Sequence, residues 1–126
     1  MKRHIKFLKK ARIEALHSVH QHRIGSVLVI GSRIISTGYN EVRYKGRGQK
    51  YTAYPESLHS ERACLSKIDK KDMYNATLYV WREGRNNVPM NSCPCQDCMN
   101  MIIELGFIKR VVHTINDFPF YEVIKI

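Results

Sequence analysis

Residues 93–106, CPCQDCMNMIIELG, lie between two short apolar runs, ATLYVW at 76–81 and KRVVHT at 109–114. No other feature restricts the fold as much. The segment has helical spacing from about Cys95 and ends on Gly106, a helix-stop residue. Two strands joined through a helix pair in parallel, because the helix supplies the length a parallel crossover needs. The link to the last apolar run, Phe120 to Ile126, is too short for that, so the last strand returns antiparallel.

The first half reads in the same terms. Ile5, Leu8, Ala11, Ala15, Leu16 and Val19 follow helical spacing, which predicts an amphipathic helix over about Lys2 to Leu16 with these residues toward the core. Ser26–Ile30 and Arg33–Gly38 are apolar runs joined by Gly31-Ser32, a two-residue hairpin link. Residues 41–58, EVRYKGRGQKYTAYPESL, read as a long exposed loop. A second helix is expected from about His59 to Asp69, with Cys64, Leu65 and Ile68 toward the core. Ala76–Trp81 is the third strand, Lys109–Thr114 the fourth and Phe120–Ile126 the fifth. The order predicts one α/β domain over residues 1–126, a mixed five-stranded sheet with helices on both faces and the last strand antiparallel.

With 126 residues, 44% of them hydrophobic, the chain can bury a core without a staple, which leaves any bound metal free for chemistry. Lys and Arg number 21 against 11 Asp and Glu, a formal charge of +10 that favours anionic ligands such as nucleotides or nucleic acid. No apolar run reaches the length of a membrane span, so no membrane partner is expected. The start, MKRHIKFLKKAR, lacks the apolar stretch of a signal peptide, and the expectation is an intracellular protein. Cysteines in a reducing compartment more often bind metal or react than pair. Three of the four, Cys93, Cys95 and Cys98, are clustered.

Cys95 and Cys98 sit one helical turn apart at a helix start, where partial positive charge favours thiolates. The pair suits a redox dithiol, a structural zinc or a catalytic zinc. A redox dithiol is expected after the first strand, and here the pair follows the third. A structural zinc needs a fourth protein ligand; Cys64 reads as core, and no second ligand pair is present. His59-Ser60-Glu61 opens the other predicted helix at the same end of the sheet. His17, His20 and His22 raise a second metal site, but no nearby carboxylate or cysteine completes it, so they read as basic surface.

Jointly, His59, Glu61, Pro94, Cys95 and Cys98 match H-x-E…P-C-x-x-C. Over about residues 24–115, including GSVLV, GYN, HSE and SCPCQDCMNMIIELGFIKRVV, the chain resembles the cytidine and deoxycytidylate deaminase family. The resemblance implies a three-layer cytidine deaminase-like fold. It also implies Zn2+ held by His59, Cys95 and Cys98, a fourth position for water, and Glu61 as the proton shuttle. It further implies that Asn40 contacts sugar or base and that backbone around Ser60 and Cys93 holds the base, with Cys93 a wall residue and not a ligand. The substrate expected first is a cytosine nucleotide, dCMP or CMP. The alternative is cytosine in single-stranded DNA or RNA, which Arg43, Lys45, Arg47, Lys50, Tyr44, Tyr51 and Tyr54 would hold by charge and stacking. Phe118, Phe120 and Tyr121 fall where polynucleotide deaminases read a neighbouring base. A non-catalytic, zinc-stabilised nucleic-acid-binding module is the third reading, disfavoured by Glu61. Family members are often homo-oligomers.

Overall fold

In the computed structural model, residues 2–42, 57–69, 71 and 73–126 are described. Helix α1 (Lys2–Ala15) leads into the hairpin of β1 (Ile24–Ile30) and β2 (Arg33–Tyr39). Two short strands follow, β3 (Glu41–Val42) and β4 (Ser57–Leu58), then α2 (Ser60–Leu65) and β5 (Ala76–Glu83). A 3-10 turn at Arg85–Asn87, β6 (Pro89–Met90), α3 (Gln96–Leu105), β7 (Ile108–Thr114) and β8 (Tyr121–Lys125) complete the order.

The main sheet runs β2-β1-β5-β7-β8, with β6 added beside the end of β5. β5 and β7, joined through α3, are parallel, and every other pairing is antiparallel. The mixed sheet and its returning last strand are as the connection lengths require. β6 is the difference: Arg82 pairs Met90 and Glu83 pairs Pro89, inside what the sequence reads as a polar loop. A two-residue strand beginning with Pro carries too little pattern to be seen in sequence.

Both faces of the sheet are covered. Val27, Val29, Tyr79 and Val112 point to α1 and meet Phe7, Leu8 and Ala11. Leu28, Leu78, Val80 and Val111 point to the opposite face and join Cys64, Leu65, Ile102 and Phe107. This alternation explains why β1 is apolar at nearly every position: neither face meets water. Full burial of each Leu, Val or Phe contributes about 1.5–3 kcal/mol.

The buried stripe of α1 is Phe7, Leu8, Ala11 and Ala15. Ile5, Leu16 and Val19, expected inward, are 44%, 42% and 91% exposed. The helix ends at Ala15, so helical spacing ceases to apply to Leu16 and Val19. The helix backbone lies directly on β1: a Cβ on Gly25 would stand 2.1 Å from Ala11 O. Helix α2 stops at Leu65 and not near Asp69. Ser66 Oγ turns back to donate to Ala63 O (3.3 Å), a local bond that competes with further helix, and Ile68 reaches the core from the turn beyond.

The ends of the long loop close as β3–β4, with Glu41 opposite Leu58, immediately before His59. Residues 43–56, and with them Arg43, Lys45, Arg47, Lys50, Tyr44, Tyr51 and Tyr54, lie outside the described residues. No helix among the described residues is long and apolar enough to cross a membrane.

Candidate metal and active site

His59 and Cys95 occupy the same structural position on two helices. Each is an N-cap in extended conformation, at φ −69°, ψ 148° and φ −65°, ψ 167°. Each carbonyl accepts the first helical bond, from Ala63 N (2.9 Å) and Met99 N (2.8 Å). The sequence placed them as the first helical residues; the cap position turns both side chains out of the helices and toward each other.

Two contacts set the depth of these helix starts. A Cβ on Gly38 of β2 would lie 2.4 Å from Cys64 N and 2.8 Å from Ser60 O, so only glycine lets α2 sit this close. The 91–95 segment is tied to the sheet by Ser92, which donates through Oγ to Val80 O (2.7 Å) and through N to Thr114 O (3.0 Å).

The ligand atoms of His59, Cys95 and Cys98 all lie within 4.8 Å of one another. His59 Nδ1 is 3.5 Å from Cys95 Sγ and 3.4 Å from Cys98 Sγ. Tetrahedral zinc with its usual Zn–S and Zn–N lengths separates N and S by about 3.6 Å, so the three donors fit that ion. Cys93 is outside this cluster. Among the described residues no second His/Cys/carboxylate cluster is found.

Burial pushes the Cys98 thiol well above the usual range, and the nearby Glu61 charge adds to the effect. Desolvation thus opposes the thiolate that the helix start favours there, and a bound cation would favour the ionised sulfur. Cys93 is shifted upward too, first by burial and then by Glu122 and Glu61.

Glu61 is buried in the first turn of α2. Ser60 Oγ donates to its Oε1 at 2.6 Å, and Ser26 Oγ lies 2.7 Å from Ser60 Oγ. A hydroxyl has one proton, so with Ser60 donating to Glu61, Ser26 donates to Ser60. No hydrogen bond among the described residues reaches Oε2. The sequence reading singled out Ser60 for its backbone and missed both the hydroxyl relay and Ser26; a serine in an apolar strand is the signal it carried.

His59, Ser60, Glu61 and Cys95 share a cavity of about 240 Å3 with His20, His22, Ile24, Asn40, Arg82, Asn91, Ser92 and Cys93. That is slightly below the roughly 300–1,000 Å3 of pockets for drug-sized ligands, and suits a base-sized group. Asn40 is buried in the wall. Its Oδ1 accepts from Ile24 N (2.9 Å), its Nδ2 donates to His22 O, and its carbonyl accepts from Ser18 Oγ (2.8 Å). The Cys93 N–H is taken by Asn91 Oδ1 (2.9 Å), which leaves its carbonyl. His17 and His22 are exposed, as read from sequence, and His20 is half-buried; His20 and His22 also line the cavity, and His17 packs on Tyr39. Phe120 and Tyr121 line a separate groove with Trp81 and Pro89, and Phe118 is 82% exposed.

Residues 1–115 match the sequence profile described as "Cytidine and deoxycytidylate deaminase zinc-binding region". The chain is 32% identical over 116 residues to a deoxycytidylate deaminase of Schizosaccharomyces pombe, covering 86% of this chain and 36% of that protein. It is 30% identical over 109 residues to a deoxycytidylate deaminase of Mycobacterium phage D29, covering 72% and 77%. Among solved structures, dCMP deaminase from the cyanophage S-TIM5 in complex with dCMP and dUMP is similar at TM-score 0.63, with 22% identity over 87% of this chain and 79% of that one. Cytidine deaminase from Burkholderia pseudomallei shares the fold at TM-score 0.64, with 16% identity over 97% and 91%. This chain thus spans about a third of the yeast relative and about three-quarters of the phage one. On the profile match and on these identities, the chain belongs to the cytidine and deoxycytidylate deaminase family.

Proposed function

We propose that this chain catalyses the hydrolytic deamination of cytosine to uracil in a nucleotide, with deoxycytidylate the first candidate. One observation carries the reading. His59, Cys95 and Cys98 converge at zinc-ligand distances, and His59 and Cys95 line one cavity with a buried carboxylate, Glu61. Likeness to deoxycytidylate deaminases supports the nucleotide.

His59 Nδ1, Cys95 Sγ and Cys98 Sγ would hold the zinc. When bound, three-ligand zinc supplies a Lewis acid with one position left for water, whose pKa it lowers. Glu61 does the proton work. With Oε1 held by Ser60, its Oε2 accepts a proton from the attacking water and delivers it to ring N3. The C4–O bond forms, and Glu61 carries the second proton from the new C4 hydroxyl to the exocyclic nitrogen. The C4–N bond breaks, ammonia and the uracil product leave, and Glu61 ends in its starting form. The Ser60 N–H and the Cys93 carbonyl are suited to the base carbonyl and its amine, and Asn40 to the sugar or base edge.

A substrate panel tests this. Zinc-loaded protein is given cytidine, deoxycytidine, CMP, dCMP and cytosine-bearing single-stranded DNA and RNA, and uracil formation is followed at low and moderate salt. Fastest turnover of a mononucleotide is the expected result. Turnover of the oligonucleotides alone, falling as salt rises, overturns it.

A further inference from the structure

We infer that the groove between α1 and the end of the sheet formed by β5, β6 and β8 is a docking site for an acidic amphipathic helix of a partner protein. The groove has a volume of about 410 Å3 and shares no lining residue with the cavity of Glu61. Ile5, Leu8, Trp81, Pro89, Phe120 and Tyr121 form most of its wall. Ile5 and Phe120 are exposed large apolar side chains. Phe120 sits at φ 71°, where an aromatic residue is rarely found. The loop imposes this, since Phe120 N donates to Asp117 O and Phe120 O accepts from Ile115 N (3.1 Å). The chain thus keeps a ring in the groove wall against its backbone preference.

The apolar surface continues along α1. Ile5 and Lys9 also line a second depression with Lys6, Lys10 and Ile13. Ile5 to Ile13 covers about 12 Å of helix axis at the rise of an α-helix. A strip of that length suits the i, i+3, i+4 and i+7 anchors of a docked helix better than a compact small ligand.

The charge around it has one sign. Lys9 is the charged side chain of the groove wall, and Lys6 and Lys10 flank it. All three are exposed, and among the described residues none makes an ion pair. The acids nearest the wall residues in sequence are already engaged. Glu83 is held by Arg12 and Trp81, Asp117 Oδ1 accepts from Phe118 N (2.9 Å), and Glu122 faces His113 (3.5 Å). A partner with one apolar face and carboxylates beside it matches both properties. A second copy of this chain fails the charge match, because it brings a net charge of +10 and the same three lysines. A lipid surface is disfavoured because the apolar stripe of α1, Phe7, Leu8, Ala11 and Ala15, is spent on the sheet.

Trp81 is the only tryptophan of the chain, so its emission reports on the groove directly. The probe is a tryptophan-free synthetic helix of about 18 residues, apolar on one face and glutamate-rich on the other. Beside it stand the same peptide with lysine for glutamate, a shuffled form, oligothymidylate and phosphatidylserine vesicles. The acidic helix is expected to change Trp81 emission saturably. Lys9→Glu and Ile5→Gln are each expected to weaken its binding about fivefold or more. Both positions are exposed on α1, and circular dichroism checks that the fold is kept; should Ile5→Gln lose it, Ile13→Gln takes its place. No saturable change up to about 1 mM peptide overturns the proposal. So does an equal response to the lysine or shuffled peptide, a stronger response to oligothymidylate or vesicles, or binding that either variant leaves unchanged. A dimer of the free chain in sedimentation that Ile5→Gln dissociates also overturns it, and gives the face to a second copy.

Discussion

The hydroxyl of Ser60 donates to Oε1 of its chain neighbour Glu61 at 2.6 Å, and both residues are buried. With Ser26 donating to Ser60 in turn, one carboxylate oxygen is held, and no hydrogen bond among the described residues reaches the other. Ser60→Ala removes a hydrogen bond to a charged group, worth about 1.5–3 kcal/mol in such settings. The expected outcome is a fall in kcat of about tenfold or more with zinc content unchanged. Metal analysis beside steady-state kinetics checks both halves.

Cys98 is the buried member of the His59, Cys95 and Cys98 cluster, and burial disfavours its ionised form in the absence of a cation. Cys98→Ser is expected to reduce bound zinc from about one per chain to near zero, since a neutral hydroxyl is a poor zinc ligand. Chelator treatment of wild type should mimic the loss of activity while leaving the far-ultraviolet circular dichroism of the sheet in place. The two core clusters on the faces of the sheet do not include His59 or Cys95.

Asn40 serves the scaffold as well as the cavity wall. Asn40→Ala takes the side-chain partner from Ile24 N and His22 O, both at part-buried positions, and an unsatisfied group costs up to about 1–3 kcal/mol when fully buried. A stability loss of about 2 kcal/mol is expected in denaturant unfolding.

Arg12 grips Glu83 with a fork, Nε to Oε1 at 3.1 Å and Nη2 to Oε2 at 2.9 Å, and Trp81 Nε1 adds a bond at 2.9 Å. Burial alone would raise the Glu83 carboxyl, but these donors outweigh it and hold it below its ordinary value. A carboxyl lowered in the folded state stabilises the fold fully above its unfolded value and loses that contribution as pH falls through the folded value. Glu83→Gln should therefore flatten the acid limb of the stability–pH curve below the ordinary carboxylate range, with little change in that slope at neutral pH.

Much of this was legible in the chain. The helix between 76–81 and 109–114 dictated a parallel pair, and the short link before Tyr121 dictated an antiparallel return. The metal-ligand pattern and Glu61 were legible because each residue type has few other uses at that spacing. Three things were hidden for physical reasons. Phe7 replaced Ile5 in the α1 stripe because helical spacing does not say which of two adjacent stripes faces the sheet. The pairing of β6 depends on two residues with no pattern of their own. That the surface residues His20 and His22 also line the cavity depends on Asn40, distant in sequence and recognised only for its own side chain.

The central claim is that Glu61 moves protons at a metal held by His59, Cys95 and Cys98. Its most direct test is dCMP turnover and zinc content measured together for wild type and Glu61→Gln, which is nearly isosteric. Wild type should release ammonia and dUMP in equal amounts. Glu61→Gln should keep its zinc and lose about a hundredfold or more in kcat. Turnover by Glu61→Gln equal to that of wild type, at equal zinc content, would contradict the claim.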